Sequence, residues 1–424
     1  MTEADPERRL SAAPLNDTID HFFRHNSGKM VASLCRSFGF DKIDLVEDAV
    51  QDALIAAMKT WPYSGMPEEP FAWLFRTAKN RCIDILRREN RILPIADDIE
   101  TVGDQNKTLF PGEIGEDQLQ MIFACCHPAL SPDSRVALTL KIVGGFSVNE
   151  IASSFLSNSD AVTKLLTRAK SRLRDLGVRM EIPEPVEWTE RLNSVLKCLY
   201  LMFNEGYSAS TGETLIRKDL VFEAIRLVST LAAHPVTSSP TVDALAALFC
   251  FQAARMPARA DHNGELLILA QQDRNLWDKG LISKGIQHLR LSASGDTVSD
   301  FHLESEIAAI YTLAPDHHSI DWPRILSAYE KLQKRQFSPV RELNRTIVVG
   351  EIEGAEAAYS QLLQLEKTLS HYNLFFITKA HYENLIARPD LAFSSLKTAA
   401  KLTSNESMLR FIEAKRRSIE STHS

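Results

Sequence analysis

Residues 147–174 carry the pattern that most restricts how this chain can fold. Two helical patterns are separated there by a polar Ser-Asn-Ser turn at residues 157–159. The apolar positions of the second pattern recur at helical spacing and predict one buried stripe, formed by Val162, Leu165, Leu166, Ala169 and Leu173. Two short helices joined in this way are typical of a helix-turn-helix, whose second helix enters the major groove of DNA.

The same second helix presents a polar outer face, which we name the reading face. Its members are Ser159, Asp160, Thr163, Lys164, Thr167 and Arg168. Side chains in the first two turns of a recognition helix reach base edges, so these six residues are the candidate contacts to duplex DNA. A solvated surface helix would show the same pattern in isolation. The assignment therefore depends on the rest of the N-terminal third.

Helical periodicity covers most of the 424 residues, and no stretch sustains the alternation of a strand, so we predict an all-α chain. Its length predicts two to four domains. The formal net charge of −7 is unfavourable for DNA binding, but many of the N-terminal acids are concentrated at Asp97, Asp98, Glu100, Asp104, Glu113, Glu116 and Asp117. Contacts to nucleic acid must therefore come from local basic faces.

Proline and glycine divide the chain into candidate domains. Residues 92–117 contain Pro94, Gly103 and Pro111 among their acids and read as an exposed linker. A shorter break follows at 177–185. The predicted domains are 15–91, 118–176, 186–300 and 301–424.

The cysteines and the first twenty residues indicate where the protein is located and whether it binds a metal. Six cysteines without a Cys-X-X-Cys pair indicate reduced thiols in a cytoplasmic protein. The polar first twenty residues and the lack of a long apolar run predict neither a signal peptide nor a membrane span. Cys125, Cys126 and His127 lack a fourth ligand, so packing is favoured over a metal site. We expect no cofactor, no metal and no enzymatic activity.

Two helices predicted at about 42–59 and 71–90 have complementary outer faces. The acidic face consists of Asp44, Glu47, Asp48, Gln51 and Asp52. The basic face consists of Arg76, Lys79, Asn80, Arg87 and Arg91. An acidic face is usually only solvated, whereas cations with an amide suit a nucleic-acid backbone and its bases.

An aromatic segment, Trp61 to Trp73, connects these two helices. We expect Phe71 and Trp73 to anchor the core, and Trp61 and Tyr63 to be exposed. An exposed aromatic ring beside basic residues can stack on an unpaired base.

Taken together, these residues resemble the extracytoplasmic-function sigma factors of bacterial RNA polymerase. Residues 47–54, Trp61-Pro62, 70–74 and 78–88 are similar to sigma region 2, and 118–176 is similar to region 4. Residues 199–207 and 272–278 and the Cys-Cys-His-Pro run at 125–128 resemble the subgroup with a helical C-terminal extension containing tetratricopeptide-like repeats. The implied fold is a region 2 helical domain, a region 4 helix-turn-helix domain and that helical extension.

The resemblance also implies partners. The acidic face would dock on the β′ clamp helices of core RNA polymerase, and region 4 would meet the β flap. The basic face, with Trp61 and Tyr63, would hold the melted −10 element, and the reading face would bind the −35 element of promoter DNA. The linker 92–117 would cross the polymerase channels, and the C-terminal repeats would regulate activity or bind a protein partner.

Other interpretations stay open. The chain could be a stand-alone helix-turn-helix activator with a tetratricopeptide sensor domain, although the two charged faces argue against it. An enzyme site in 199–278 would need a nucleophile and base that the sequence does not show. The C-terminal repeats could equally be a plain helical bundle. The charged residues of 255–278 predict an ion-pair network: Arg255, Arg259, Asp261, Asp273, Arg274 and Asp278, with Gly264 among them.

Overall fold

The computed structural model describes residues 13–90, 111–154, 158–183, 186–207, 217–261 and 266–423. Within these ranges the regular elements are helices, with one isolated antiparallel bridge between Ala260 and Leu266. The predicted all-α class is confirmed. The chain divides into two compact units, residues 1–198 and 199–424, and the division falls inside one helix.

Within its described residues, the first unit contains seven complete α-helices and the start of an eighth. They are α1 (Ala13–Phe38), α2 (Ile43–Ser64), α3 (Pro70–Asn90), α4 (Pro111–Cys125), α5 (Pro132–Ile142), α6 (Val148–Ser154), α7 (Ser159–Asp175) and α8 (Trp188–Tyr207). The helices α1, α2 and α3 pack on one another, and α4 packs on both α1 and α5. The helix-turn-helix, α6 and α7, packs on α5.

Local sequence explains where several of these helices begin and end. Gly39 adopts φ +94°, which permits the sharp turn between α1 and α2. Ser131 caps α5 by accepting from the Ser134 N–H, with Pro132 in the first turn. Ser147 and Glu150 form a reciprocal capping box at α6, and the Asn158 side chain accepts from the Ala161 N–H at α7 (2.7 Å).

One helix begins earlier than the sequence analysis predicted. α4 starts at Pro111, so the end of the predicted linker 92–117 is helical. Within it Asp117 is 2% exposed, accepting from Ser33 Oγ (2.7 Å) and pairing with Arg36 Nη1 (2.6 Å). The expectation that Asp117 belongs to an exposed acidic linker was wrong, because two donors on α1 compensate its burial. Residues 92–110 lie outside the described residues.

The described residues of the second unit form the rest of α8 and ten further α-helices. They are α9 (Lys218–Ala233), α10 (Pro240–Ala254), α11 (Lys279–Ser292), α12 (Asp300–Leu313), α13 (Trp322–Arg335), α14 (Pro339–Glu353), α15 (Ala355–Leu365), α16 (Asn373–Leu385), α17 (Pro389–Lys401) and α18 (Glu406–His423). α10 is apolar on nearly all sides and packs against α9, α11 and α12. The boundary predicted near residue 300 thus separates two parts of one packing unit.

From α12 to α18 each helix packs on the next in chain order. Such an arrangement of neighbours is what stacked helix pairs would give. It also fits a plain bundle, so the tetratricopeptide-like repeats stay a prediction. None of the helices in the described part of the chain has the length and apolar character that crossing a membrane would require.

Candidate protein and nucleic-acid interfaces

The acidic face lies along α2, opposite its buried stripe. Ile43, Val46 and Val50 are buried, whereas Asp48 and Gln51 are exposed. The Asp44 side chain is 51% exposed, but that of Glu47 is only 15% exposed. The acidic residues therefore lie on the outer side of α2, opposite its buried stripe, as predicted, and Glu47 is partly covered.

Two cations from the helix-turn-helix contact this acidic face. Lys170 Nζ donates to Asp44 Oδ1 (2.8 Å) and also to Glu47, and Arg174 Nη1 donates to Asp44 Oδ2 (2.8 Å). Burial raises the pKa of Asp44, but Lys170 and Arg174 lower it more, so the net shift is downward. This contact was not predicted, because no local sequence pattern relates residues that lie so far apart in the chain.

The last residue of the acidic face interacts with the next helix. Arg81 Nε on α3 donates to Asp52 Oδ2 at 2.7 Å, and both side chains remain partly exposed. Arg81 was absent from the predicted basic face. It joins α2 to α3.

The basic face of α3 carries exposed side chains at Arg76, Asn80 and Arg87, with Lys79 half-buried beside them. Arg88 is exposed as well and was not predicted. Arg91 lies outside the described residues. The face thus presents several cations and an amide to solvent, which is chemistry suited to a nucleic-acid strand.

The aromatic segment between α2 and α3 differs from the prediction. α2 continues through Pro62 to Ser64, so only residues 65–69 form a loop. Tyr63 is 92% exposed, as expected, but Trp61 is 9% exposed. The prediction of an exposed Trp61 was wrong, because its ring packs edge-on against Trp73 at a centroid distance of 5.6 Å.

The reading face of α7 is largely solvent-exposed. Asp160, Thr163, Lys164, Thr167 and Arg168 are all exposed. Ser159 is half-buried, and its hydroxyl donates to Asn149 Oδ1 (2.5 Å), which joins α7 to α6. The buried stripe contains Val162, Leu166, Ala169 and Leu173, as predicted, with Leu165 half-buried.

The Cys-Cys-His-Pro run is a packing element of the first unit. Cys125 and Cys126 are buried, and burial raises the pKa of the Cys125 thiol well above its usual range. Ser194 Oγ on α8 donates to the Cys126 carbonyl (2.5 Å), and the rings of Phe123 and Trp188 are 5.4 Å apart. The first half of α8 therefore packs on the end of α4.

In the described part of segment 255–278, the three arginines of the predicted ion-pair network contact aromatic rings and oxygen atoms of tyrosine and the backbone. Arg255 Nη2 donates to Tyr207 Oη (3.4 Å), and Arg259 lies over the Tyr207 ring at 4.1 Å. Arg274 donates to the Ala314 carbonyl (2.7 Å) and lies over the ring of Trp277 at 4.4 Å. Burial raises the pKa of the Tyr207 phenol, but the two arginines lower it more, and the net shift is downward.

The acids of that segment have separate roles. Asp273 accepts from the Asn275 N–H and Asp278 from the Leu281 N–H, each at 2.9 Å, so both cap helical turns. Among the residues that the structure describes, neither pairs with an arginine of the segment. Gly264 lies outside the described residues.

Comparison with known families gives three matches along the chain. Residues 24–92 match Sigma-70 region 2, residues 120–173 match Sigma-70 region 4, and residues 191–293 match a family of unknown function, DUF6596.

Two curated relatives are similar to the chain. An uncharacterised protein of Rhizobium meliloti (strain 1021) is 35% identical over 379 residues, which cover 88% of this chain and 89% of that protein. The RNA polymerase sigma factor CnrH of Cupriavidus metallidurans is 30% identical over 192 residues, which cover 42% of this chain and 96% of that protein. No solved structure matches the chain.

Proposed function

The chain is an RNA polymerase sigma factor of the extracytoplasmic-function type with a C-terminal extension, and we propose that it recognises promoters through three surfaces. The observation that carries the proposal is the separation of charge between neighbouring helices. α2 turns carboxylates outward, α3 turns arginines outward, and α7 exposes a polar reading face. A protein that bound only duplex DNA would not need the first two.

The acidic face is the proposed docking surface for core RNA polymerase, on the β′ clamp helices. Asp48 and Gln51 are exposed at its centre. Surface carboxylates steer association with a basic partner and set its orientation. The region 4 helices would contact the β flap, which holds α7 at a distance suited to the −35 element.

The basic face and Tyr63 are the proposed site for the melted −10 element. Arg76 and Arg87 would follow the strand's phosphates, and Asn80 would bind a base edge. Tyr63 offers an exposed ring on which a flipped base can stack. Trp61 would act indirectly, by packing on Trp73 where α2 and α3 meet.

The reading face is the proposed contact to the −35 duplex. Lys164 and Arg168 are exposed one helical turn apart and can donate to guanine in the major groove. Ser159 would support the turn rather than read a base, because its hydroxyl donates to Asn149.

The extension is proposed to regulate the sigma domains or to bind a protein partner.

The alternative function is a stand-alone helix-turn-helix activator with a tetratricopeptide sensor. It would bind duplex DNA equally well without polymerase, and it gives no role to the acidic face.

Asp48→Arg tests polymerase docking. Reversing this exposed charge should abolish co-purification of the full chain with core polymerase while helical content stays intact. Asp52→Arg is a poorer choice, because Asp52 pairs with Arg81 and an arginine at residue 52 would repel it. Asp296→Arg makes the same charge change at an exposed site in the second unit and serves as the control. Undiminished co-purification of Asp48→Arg would remove the docking role from the acidic face.

A further inference from the structure

The acidic face of α2 already has an occupant within the chain. Lys170 and Arg174, one helical turn apart on α7, together contact Asp44 and Glu47. The side chains of Lys170 and Glu47 are only 13% and 15% exposed. This pair is therefore largely removed from water, unlike an ordinary surface ion pair.

The charge balance at this contact depends on both helices. Burial lowers the pKa of Lys170, but Glu47 and Asp44 raise it more, and the net shift is upward. Lys141 on α5 approaches Glu47 at 4.0 Å and adds a third cation. Removing Lys170 would leave Glu47 without its nearest counter-charge.

Besides the contact between α2 and α7, two further contacts join α1 to α4 and α5. On α4, Asp117 binds Ser33 and Arg36 of α1. Gly28 of α1 lies directly against the end of α5, because a Cβ at residue 28 would be 2.1 Å from the Val143 carbonyl oxygen. Charge, hydrogen bonding and close backbone packing thus all join the helices α1 and α2 to α4, α5 and α7.

We propose that these contacts define a closed state in which the basic end of α7 occupies the site that core polymerase must take. This inference rests on the proposed docking role of the acidic face. Asp44 and Glu47 cannot pair with α7 and with a polymerase surface at the same time, so docking has to displace Lys170 and Arg174. The occupant also indicates the partner's chemistry: a surface with cations about one helical turn apart.

The closed state leaves the reading face free. Lys164 and Arg168 are exposed while Lys170 and Arg174 are engaged, so closure covers the polymerase-binding residues rather than the base-reading ones. A chain that is closed nine times in ten would bind polymerase about tenfold more weakly than an open one, because apparent affinity scales with the competent fraction.

The first measurement uses the full natural chain. A zero-length carbodiimide cross-linker joins lysines to carboxylates in direct contact, and peptide mass spectrometry locates the bond. We expect Lys170 to be joined to Asp44 or Glu47 in the free protein, and this product to disappear when core polymerase is bound. Its absence from the free protein, or its persistence in the complex, would overturn the proposal.

The second measurement compares the affinity of full-length variants for core polymerase. Lys170→Ala removes the contact to Asp44 and Glu47, and Asp117→Asn removes the negative charge that pairs with Arg36, so each should tighten binding several-fold. Arg172→Ala removes an exposed cation from the same end of α7 and should have no such effect. Equal or weaker binding by both closing-contact variants would overturn the competition.

The two measurements also separate this inference from the proposed function. If no variant bound core polymerase, the docking role and the competition would both be overturned, while the cross-link would still report whether α7 contacts α2. If the natural chain bound polymerase and neither closing-contact variant bound more tightly, only the inference would be overturned.

Discussion

At the scale of single residues, Trp61 and Tyr63 show what local sequence leaves undecided. They are two positions apart in the same helix, yet one ring is buried and the other is almost fully exposed. Helical spacing turns them about 200° apart, but which of the two faces inward depends on Trp73, a residue of the next helix. The sequence predicted an aromatic site and could not assign its members.

This difference predicts separate effects of two substitutions. Trp61→Ala should lower the free energy of unfolding by about 3–5 kcal/mol, because it removes a buried ring. Tyr63→Ala should leave stability unchanged and weaken binding of the −10 single strand to the holoenzyme by about 1–3 kcal/mol, the value of one lost stack. Urea unfolding measures the free energy of unfolding, and a binding titration measures the affinity of the holoenzyme for the −10 single strand. A destabilised Tyr63→Ala protein would contradict the assignment.

We predict that Lys164 and Arg168 contact bases of the −35 duplex. Changing either to Ala should weaken −35 binding by about 1–3 kcal/mol and alter the preference at one or two base pairs. Binding to a panel of single-base variants of the −35 duplex measures both effects, with Arg179→Ala as a control at an exposed site beyond α7. An equal loss on every duplex would instead make the residue a phosphate contact.

At the scale of helices, periodicity predicted which elements exist better than it predicted their ends. α3 and α7 begin within a residue or two of the predicted starts, because Pro70 and the Asn158 cap mark them. α4 extends back to Pro111, among glycines that had suggested a loop. Asp117 explains the failure: its charge indicated exposure, and only the distant donors Ser33 and Arg36 make its burial possible.

His302 gives α12 a pH-dependent start. Its Nδ1 accepts from the Ser299 N–H (3.0 Å) and its Nε2 donates to the Ser292 carbonyl (3.1 Å). Burial lowers the pKa of His302 below its usual 6.5, because the cationic form loses solvation. A lowered histidine pKa contributes stability that is complete above the unfolded value and is lost as the pH falls below it.

His302→Gln isolates this contribution, since a glutamine oxygen can accept from Ser299 without titrating. The melting temperature of the natural protein should fall more between pH 8 and pH 5.5 than that of the variant. Both proteins keep every other histidine, so the difference belongs to residue 302. Identical shifts in both would show that α12 does not depend on the neutral imidazole.

At the scale of the whole molecule, the order of the two sigma-like segments made the family recognisable from sequence. The contact between α2 and α7 could not be predicted, because Asp44 and Lys170 belong to patterns that each look complete alone. The same limit applied in the second unit, where alternating arginines and aspartates suggested ion pairs. In the described residues, Arg274 donates to the Ala314 carbonyl and lies over the Trp277 ring, contacts that the charge pattern did not predict.

Truncation tests the role of the extension. A chain ending after Arg174 should lose promoter-dependent transcription several-fold, because the cut also removes Trp188 and Ser194, which pack on Phe123 and Cys126. Trp188→Ala in the full chain tests that packing alone and should reproduce only part of the loss. Equal activity and promoter choice for the fragment and the full chain would show that the extension contributes nothing to initiation.

Sigma-factor activity itself is measured by in vitro transcription with purified core polymerase, from the DNA upstream of the chain's own coding region. We expect a discrete transcript that requires the full chain, disappears with Asp48→Arg and persists with Asp296→Arg. Specific duplex binding by the chain alone, with no dependence of transcription on it and no effect of Asp48→Arg, would contradict the sigma-factor account and favour the stand-alone activator.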